Sequence, residues 1–318
     1  MKKILSVLLA LAMVLALTAC AGGSTTMTMG TGGTAGTYYA FGGILGNQIK
    51  TSTGITVNVV STDGSKANIL GIDVGNYQLG TVQSDVMAYA AAGTRSFEKE
   101  GALDSFRVIG GLYAEAVQLV TMDANIKSVA DLKGKKVSIG AAGSGVYFNA
   151  IDILGAAGLT EQDIVAQYQS FADSADALKD GKIDAAFIVA GAPTPAIQEL
   201  TTSASAYLVP IDGDVATKLM ESSPYYTTYN VPAGTYNGQT ADVTTVTVKA
   251  TLIVSTTASE EDVYNITKSI FDNKETITTA HAKGAELSLQ NATEGMTAPF
   301  HAGAAKYFAE KGITVETK

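Results

Sequence analysis

Two glycine-rich loops restrict the fold of this chain more than any other feature. Residues 30–39, GTGGTAGTYY, follow the short apolar run Met27-Thr28-Met29 and precede a segment whose Tyr38, Ile44, Leu45 and Ile49 share one helical face. Residues 140–145, GAAGSG, follow the strand-like KKVSI and precede a second helical pattern through Phe148, Ile151 and Leu154. Small residues between a strand and a helix leave backbone N–H groups uncovered at the helix N-terminus, where they hold an anion or a polar ligand. Two such mouths about a hundred residues apart predict two α/β lobes facing one cleft.

The segments around the first mouth read as βαβαβ. Ile55 to Val60 alternates and is β-branched, Ser61 to Ser65 is a polar loop feeding a helix over 67–74, and Gly75 ends that helix before a strand over 77–82 delivers Gln83-Ser84-Asp85. Such an order implies a parallel sheet. Residues 178–188 repeat the helix, glycine and strand order of residues 70–82, and this copy ends in Ala190-Gly191-Ala192-Pro193. Between the copies, residues 106–122 hold two strand-like runs flanking Tyr113-Ala114-Glu115, where the chain crosses from one lobe to the other; residues 243–254 are the return crossing. Lobe one is then expected over 27–115 and 250–318, and lobe two over 116–249. Thr37 is placed to cap the first helix, Ser128 with Asp131 approximates a capping box, and residues 221–241, with Tyr225, Tyr226, Tyr229 and Tyr236, read as an irregular loop.

The chain opens with Met1-Lys2-Lys3, an apolar run over 4–17 and then Leu17-Thr18-Ala19-Cys20. A charged start, a short apolar stretch and a small-residue cleavage site describe an export signal over 1–19, too short for a durable membrane span. Leu-x-Ala-Cys resembles a lipobox, which makes Cys20, the sole cysteine, the lipidated first residue of the exported chain, followed by a tether over 20–26. The expected location is the outer face of the cytoplasmic membrane. The signal takes two lysines with it, so a net charge of −9 becomes −11. An acidic surface without a basic patch argues against nucleic acid. With 46% apolar and 16% charged residues the chain has enough apolar material for a substantial core.

The candidate ligand site follows from the loops. Gly32, Gly33, Thr34, Ser144 and Gly145 offer N–H and hydroxyl donors to an anionic head group, helped by helix dipoles, with a purely turn-forming role the alternative for each. Gln83 and Ser84 are placed to orient the ligand. Asp85 either meets an ammonium group or caps the helix after it. Tyr38, Tyr113 and Tyr147 are candidate walls, with core packing the alternative for each, and Val146, Ala190 and Gly191 complete the strand-end loops. Only two arginines occur, Arg95 and Arg107, and neither stands where a carboxylate clamp would need it. An enzyme would require a nucleophile with a base, a carboxylate pair or metal ligands. His281 and His301 are remote from both loops and read as surface or capping residues, and Ser144 lacks a G-x-S-x-G setting, so catalysis, metal and cofactor are not expected.

Taken in order, the lipobox, GTGGTAGTYYAFGG, VQSD at 82–85, SVADLKGKKVSIGAAGSG, ALKDGKIDAAFIVAGAPTPAIQEL, VPAGTY and AHAKGAELSLQNATEGMTAPFHAGAAKYFAEKGI resemble the TAXI family of solute receptors, the extracytoplasmic subunits of TRAP transporters. The resemblance implies a type II periplasmic-binding-protein fold of two α/β lobes joined by two crossing strands. It also implies a monomeric receptor that passes glutamate, a related amino acid or a small carboxylate to TRAP membrane subunits driven by an ion gradient. Val146-Tyr147 replaces the family's usual Thr-Glu, and Ala142 its frequent Pro, so the specificity is open to change. A substrate-binding lipoprotein of an ABC importer shares the fold and tether and is the alternative.

Overall fold

The computed structural model describes residues 25–318; the export signal, Cys20 and most of the tether lie outside the described residues. The strands are β1 (Thr26–Gly30), β2 (Thr56–Val60), β3 (Leu79–Gln83), β4 (Phe106–Thr121), β5 (Lys136–Ser138), β6 (Val165–Gln167), β7 (Ala185–Ala190), β8 (Tyr207–Val209), β9 (Thr227–Val231) and β10 (Val243–Ser255). Along the hydrogen-bonded path their order is β2-β1-β3-β10-β4-β7-β5-β6, with β8 added to β4 and β9 to β10. β1 pairs in parallel with β2 and β3, and β5 with β6 and β7, as a strand–helix–strand order requires.

The two crossings are β4 and β10, antiparallel neighbours that run from one lobe into the other. β4 is one continuous strand of 16 residues rather than two runs. Glu115 reads as a break because charged residues are poor strand formers in isolation. Here the strand continues because Glu115 lies opposite Val248 of β10. The tyrosine-rich stretch over 221–241 likewise contains β9, which β10 recruits as an edge partner.

One buried core collects residues from 27–113 and 250–308, among them Met29, Phe41, Leu45, Leu79, Phe106, Leu252, Ile266 and Phe308. Two more collect residues from 116–248. These two lie on opposite faces of the sheet: Val117, Leu119, Phe187 and Val189 point to one, Ala116, Val120, Ile188 and Ala190 to the other. A strand with both faces covered loses the apolar–polar alternation, which is why Ala185–Ala190, AAFIVA, is apolar throughout.

Helices cover the sheet: α1 (Thr37–Thr53), α2 (Ser65–Asp73), α3 (Ser84–Ala92), α4 (Gly145–Ala156), α5 (Phe171–Lys179), α6 (Pro195–Ser203), α7 (Gly213–Ser222), α8 (Glu260–Phe271), α9 (Lys274–Ala280), α10 (Leu289–Thr293) and α11 (Ala302–Glu310). Their ends follow local chemistry. Ser144, Ser170 and Ser259 cap α4, α5 and α8 by accepting from Tyr147, Asp173 and Asp262 N–H. Gly75 and Gly181, the matched glycines of the internal echo, both take positive φ. Thr37 is not a cap; Gly36 holds that position, and the Thr37 hydroxyl donates across the cleft to the Gly191 carbonyl at 2.8 Å. His281 and His301 cap short helical segments through Nδ1, accepting from Lys283 and Gly303 N–H.

Candidate functional site

Four helices start at the same place. The N-terminal ends of α1 and α2 from one lobe, and of α4 and α5 from the other, converge on a cleft of about 610 Å³ counted to its open mouth. Gly36, Gly64-Ser65, Ser144-Gly145 and Ser170-Phe171 are all in its wall. The unpaired N–H groups and the positive dipole ends of four helices therefore face one volume.

The first loop is held from behind by Asn68, which is fully buried. Its Nδ2 donates to the Thr31 and Thr81 carbonyls at 2.6 and 2.7 Å, and its Oδ1 accepts from the Thr62 hydroxyl. Asn68 thus ties three strand ends together and leaves no room for a side chain at Gly30, whose Cβ would meet Asn68 Oδ1 at 2.5 Å. The second loop is closed by Ser144, whose hydroxyl donates to the Ala141 carbonyl and accepts from Tyr147 N–H. That hydroxyl is already committed, so Ser144 shapes the wall rather than offering a free donor.

Of the residues singled out from sequence, Gly32, Gly33, Tyr38, Gln83, Ser144, Gly145, Val146 and Ala190 line the cleft. The others stand elsewhere, each for a visible reason. Thr34 is exposed at the tip of the turn closed by Gly36 N–H to the Gly33 carbonyl. Ser84 points to the far side of the crossing strands, where its hydroxyl accepts from Lys249 N–H and where Ala114 and Thr247 form a separate hollow. Asp85 is wholly buried and accepts from Asn149 Nδ2 at 3.0 Å. Tyr113 is packed edge-on against Phe41 with ring centres 5.2 Å apart. Tyr147 turns outward, its hydroxyl on Glu161 and its ring against Phe148. The Gly191 carbonyl is taken by Thr37 and Thr194.

Several wall residues escape a reading by loops alone: Thr62, Asp63, Gly64 and Ser65, then Gln169, Ser170 and Phe171, and Glu115. The first set sits in the polar loop after β2 and repeats the strand–loop–helix signature. The second follows β6 in the same way but lacks glycine, so its composition gives little away. Glu115 carries the plainest signal of all, being the only charged side chain between Arg107 and Asp123 in an otherwise apolar strand.

The wall has a consistent polarity of its own. Tyr38 Oη, Gln83 Oε1, Glu115 Oε1 and Gln169 Oε1 are buried without a hydrogen-bond partner among the described residues. Leaving a buried polar atom unpaired costs about 1–3 kcal/mol, so a cluster of four marks a place built for something else to fill. Burial, reinforced by the nearby Asp85 charge, pushes the Glu115 carboxyl up to about 8. Burial also raises Asp85 to about 7 and the Tyr38 hydroxyl well above its ordinary value.

The lobes touch all round this volume. Gln83 Nε2 donates to Asn149 Oδ1 at 2.9 Å, and Asn149 Nδ2 donates to Asp85 and to the Tyr226 hydroxyl. Arg95 meets Asp152 at 2.5 Å, Ala67 N–H donates to the Gly143 carbonyl, and Ala196 N–H to the Ala35 carbonyl. Gly145 lies so close to Gln83 that a Cβ on it would fall 1.4 Å from Oε1.

The fold is that of periplasmic solute-binding proteins. Similar solved structures include the alkanesulfonate-binding protein SsuA from Xanthomonas axonopodis pv. citri bound to MOPS, 17% identical, covering 92% of each chain with a TM-score of 0.51. A protein from Bordetella bronchiseptica RB50 is 17% identical over 90% of this chain and 89% of its own, with a TM-score of 0.54. A putative L-cystine ABC transporter protein from Listeria monocytogenes is 20% identical over 83% and 98%, with a TM-score of 0.51. Among the described residues no helix is long and apolar enough to cross a membrane. The NMT1-like family matches residues 29–312, nearly the whole of the described fold, and the chain belongs to that family.

Proposed function

We propose that this protein is an extracytoplasmic solute-binding receptor that captures a small polar solute between its two lobes and presents it to a membrane importer. The observation that carries this reading is the cleft itself: helix N-termini from both lobes meet there, and buried polar atoms without partners face into it. Gly32, Gly33, Tyr38, Gln83, Glu115, Gly145, Val146 and Ala190 are the residues we assign to solute contact, with β4 and β10 as the hinge between lobes. No catalytic role is assigned. Export and lipid attachment through Cys20 are part of the same reading, since a receptor for an importer works outside the cytoplasm.

Two importer types use such a receptor. The motif order resembles the TAXI receptors of TRAP transporters, which draw on an ion gradient. The Listeria neighbour is described as an ABC transporter protein, and this favours the second reading, the substrate-binding lipoprotein of an ATP-driven importer. Uptake of the identified solute by cells carrying the receptor and its importer separates the two: collapse by an ionophore at constant ATP indicates the first, collapse on ATP depletion with the gradient held indicates the second.

The receptor reading is tested by a thermal-shift screen of the protein against amino acids, dicarboxylates, 2-oxo acids and sulfonates. A solute at a hundred times its Kd adds about 2.7 kcal/mol, a shift of several degrees. Small-angle scattering with the same solute is expected to show a smaller radius of gyration. A folded protein that answers to none of these, and carries nothing when denatured and analysed by mass spectrometry, would sink the receptor reading.

A further inference from the structure

The cleft wall has an uneven charge. It contains two carboxyl side chains, Glu115 at the floor and Asp63 near the mouth, and no lysine, arginine or histidine. The nearest cation to Glu115, Lys283, is buried and held by Glu286 at 2.6 Å. Favourable charge for an anion comes only from the four helix ends. A dicarboxylate placed here would set its second carboxylate against Glu115 with nothing to balance it. Three of the four unpartnered atoms, Gln83 Oε1, Glu115 Oε1 and Gln169 Oε1, are acceptors; the fourth, Tyr38 Oη, can give the Glu115 carboxyl one hydrogen and leaves the rest in want of a donor, and Glu115 and Gln83 are 1% and 2% exposed. The missing group is therefore one rich in N–H, and an ammonium supplies three.

Resting on the receptor reading above, we infer that the cleft takes a zwitterionic amino acid of zero net charge. Its ammonium group donates to Glu115 and Gln83, its carboxylate lies on the helix N-termini, and dicarboxylates are discriminated against. The rest of the wall suits an uncharged side chain, since Val146, Phe171, Val189 and Ala190 are apolar. Five side chains face Glu115 from the elements around it: Tyr38 from α1, Gln83 from β3, Asp85 from α3, Lys283 from the turn after α9, and Tyr113 from its own strand. Only Lys283 among them is cationic, and it is already paired.

The test is calorimetric titration of the full-length chain in detergent, after unfolding and refolding to strip any carried solute. The probes are L-glutamine, L-valine, L-glutamate, glutarate and 2-oxoglutarate. L-glutamine or L-valine is expected to bind at least tenfold more tightly than L-glutamate, with no binding of glutarate or 2-oxoglutarate. Glu115 must be ionised to hold the ammonium, and its free carboxyl titrates at about 8. Affinity for the amino acid should accordingly rise more than tenfold from pH 6 to pH 8. Glu115→Gln keeps the shape but removes the charge, and is expected to lose at least tenfold at pH 8 and to flatten the pH dependence. Binding of glutarate or 2-oxoglutarate as tight as that of any amino acid, or unchanged amino-acid affinity in Glu115→Gln, overturns this inference while leaving the receptor reading in place. No binding of any probe, with no contraction in scattering from any solute of the wider screen, overturns both.

Discussion

Glu115 weakens the fold that carries it. Its carboxyl titrates near 4.5 in an unfolded chain and about 8 in the folded one, because burial disfavours the charge. Below pH 4.5 both states hold the proton and nothing is lost. Between pH 4.5 and 8 the folded state keeps a proton that the unfolded state has released, so stability falls as the pH rises through that window. At 1.36 kcal/mol per unit the loss is on the order of 4 kcal/mol by pH 8. Glu115→Gln is therefore expected to raise the melting temperature of the solute-free protein by several degrees at pH 8 and to change it little at pH 4.5, measured by calorimetry at the two pH values. Equal melting temperatures at pH 8 would mean that Glu115 is solvated after all. A buried acid that costs stability, faces no free cation and leaves one oxygen unpartnered is what a site built for a solute looks like. In the sequence this lone acid reads as a break between two strand runs; that its carboxyl forms the floor of the cleft depends on β10 and β7 pairing with β4 on either side.

The elements that bring the lobes together are the helices whose N-termini meet in the cleft, and α4 shows how. Its inner face packs Ala150, Ile153 and Leu154 into one lobe, while Gly145 and Asn149 at its start reach the other. A methyl on Gly145 would fall 1.4 Å from Gln83 Oε1 and 3.0 Å from Val86, and Gly145 is the first residue of the helix, where the usual helical advantage of alanine is small, so Gly145→Ala is expected to lower the solute-free melting temperature as well as the affinity. Affinity is expected to fall at least tenfold in the calorimetric titration described above; equal affinity would show that the lobes close without this contact. The strand–loop–helix order that sets these helix starts is written locally, in glycine, serine and apolar spacing. Ser144 illustrates the limit of such reading: the same hydroxyl that marks the loop is used up in capping the helix.

At the scale of the whole molecule, the three buried cores divide at the crossing strands, and the lobes are joined by polar bonds together with a few apolar contacts, Phe148 and Tyr225 packing across on Tyr89. Asn149 is the hub, bonded to Gln83, Asp85 and Tyr226 at once. Asn149→Leu removes all three bonds and leaves Asp85 buried without that donor. It is expected to enlarge the radius of gyration in small-angle scattering with solute present and to weaken binding by tenfold or more. Arg95→Ala breaks one half-exposed pair between lobes, that with Asp152, and the stacking of the guanidinium on Tyr89 within its own lobe, and the expected loss is about fivefold or less. If both variants behaved alike, the hub role of Asn149 would have to be given up.

The sequence by itself determined the local matters: the parallel βαβ units, the two glycine loops, the capping box of Ser128 with Asp131, and the strand character of residues 106–122 and 243–254. These depend on steric preference and periodicity over a few residues, which a sequence displays directly. Tertiary structure alone decided which side chains share the cleft. Strand pairing made one strand of residues 106–121 and placed Glu115 at the floor; lobe contact sent Thr37 to Gly191, committed Asp85 to Asn149 and turned Tyr147 away from the solute. A side chain's direction across a cleft follows from packing between segments a hundred residues apart, and no local pattern carries that information.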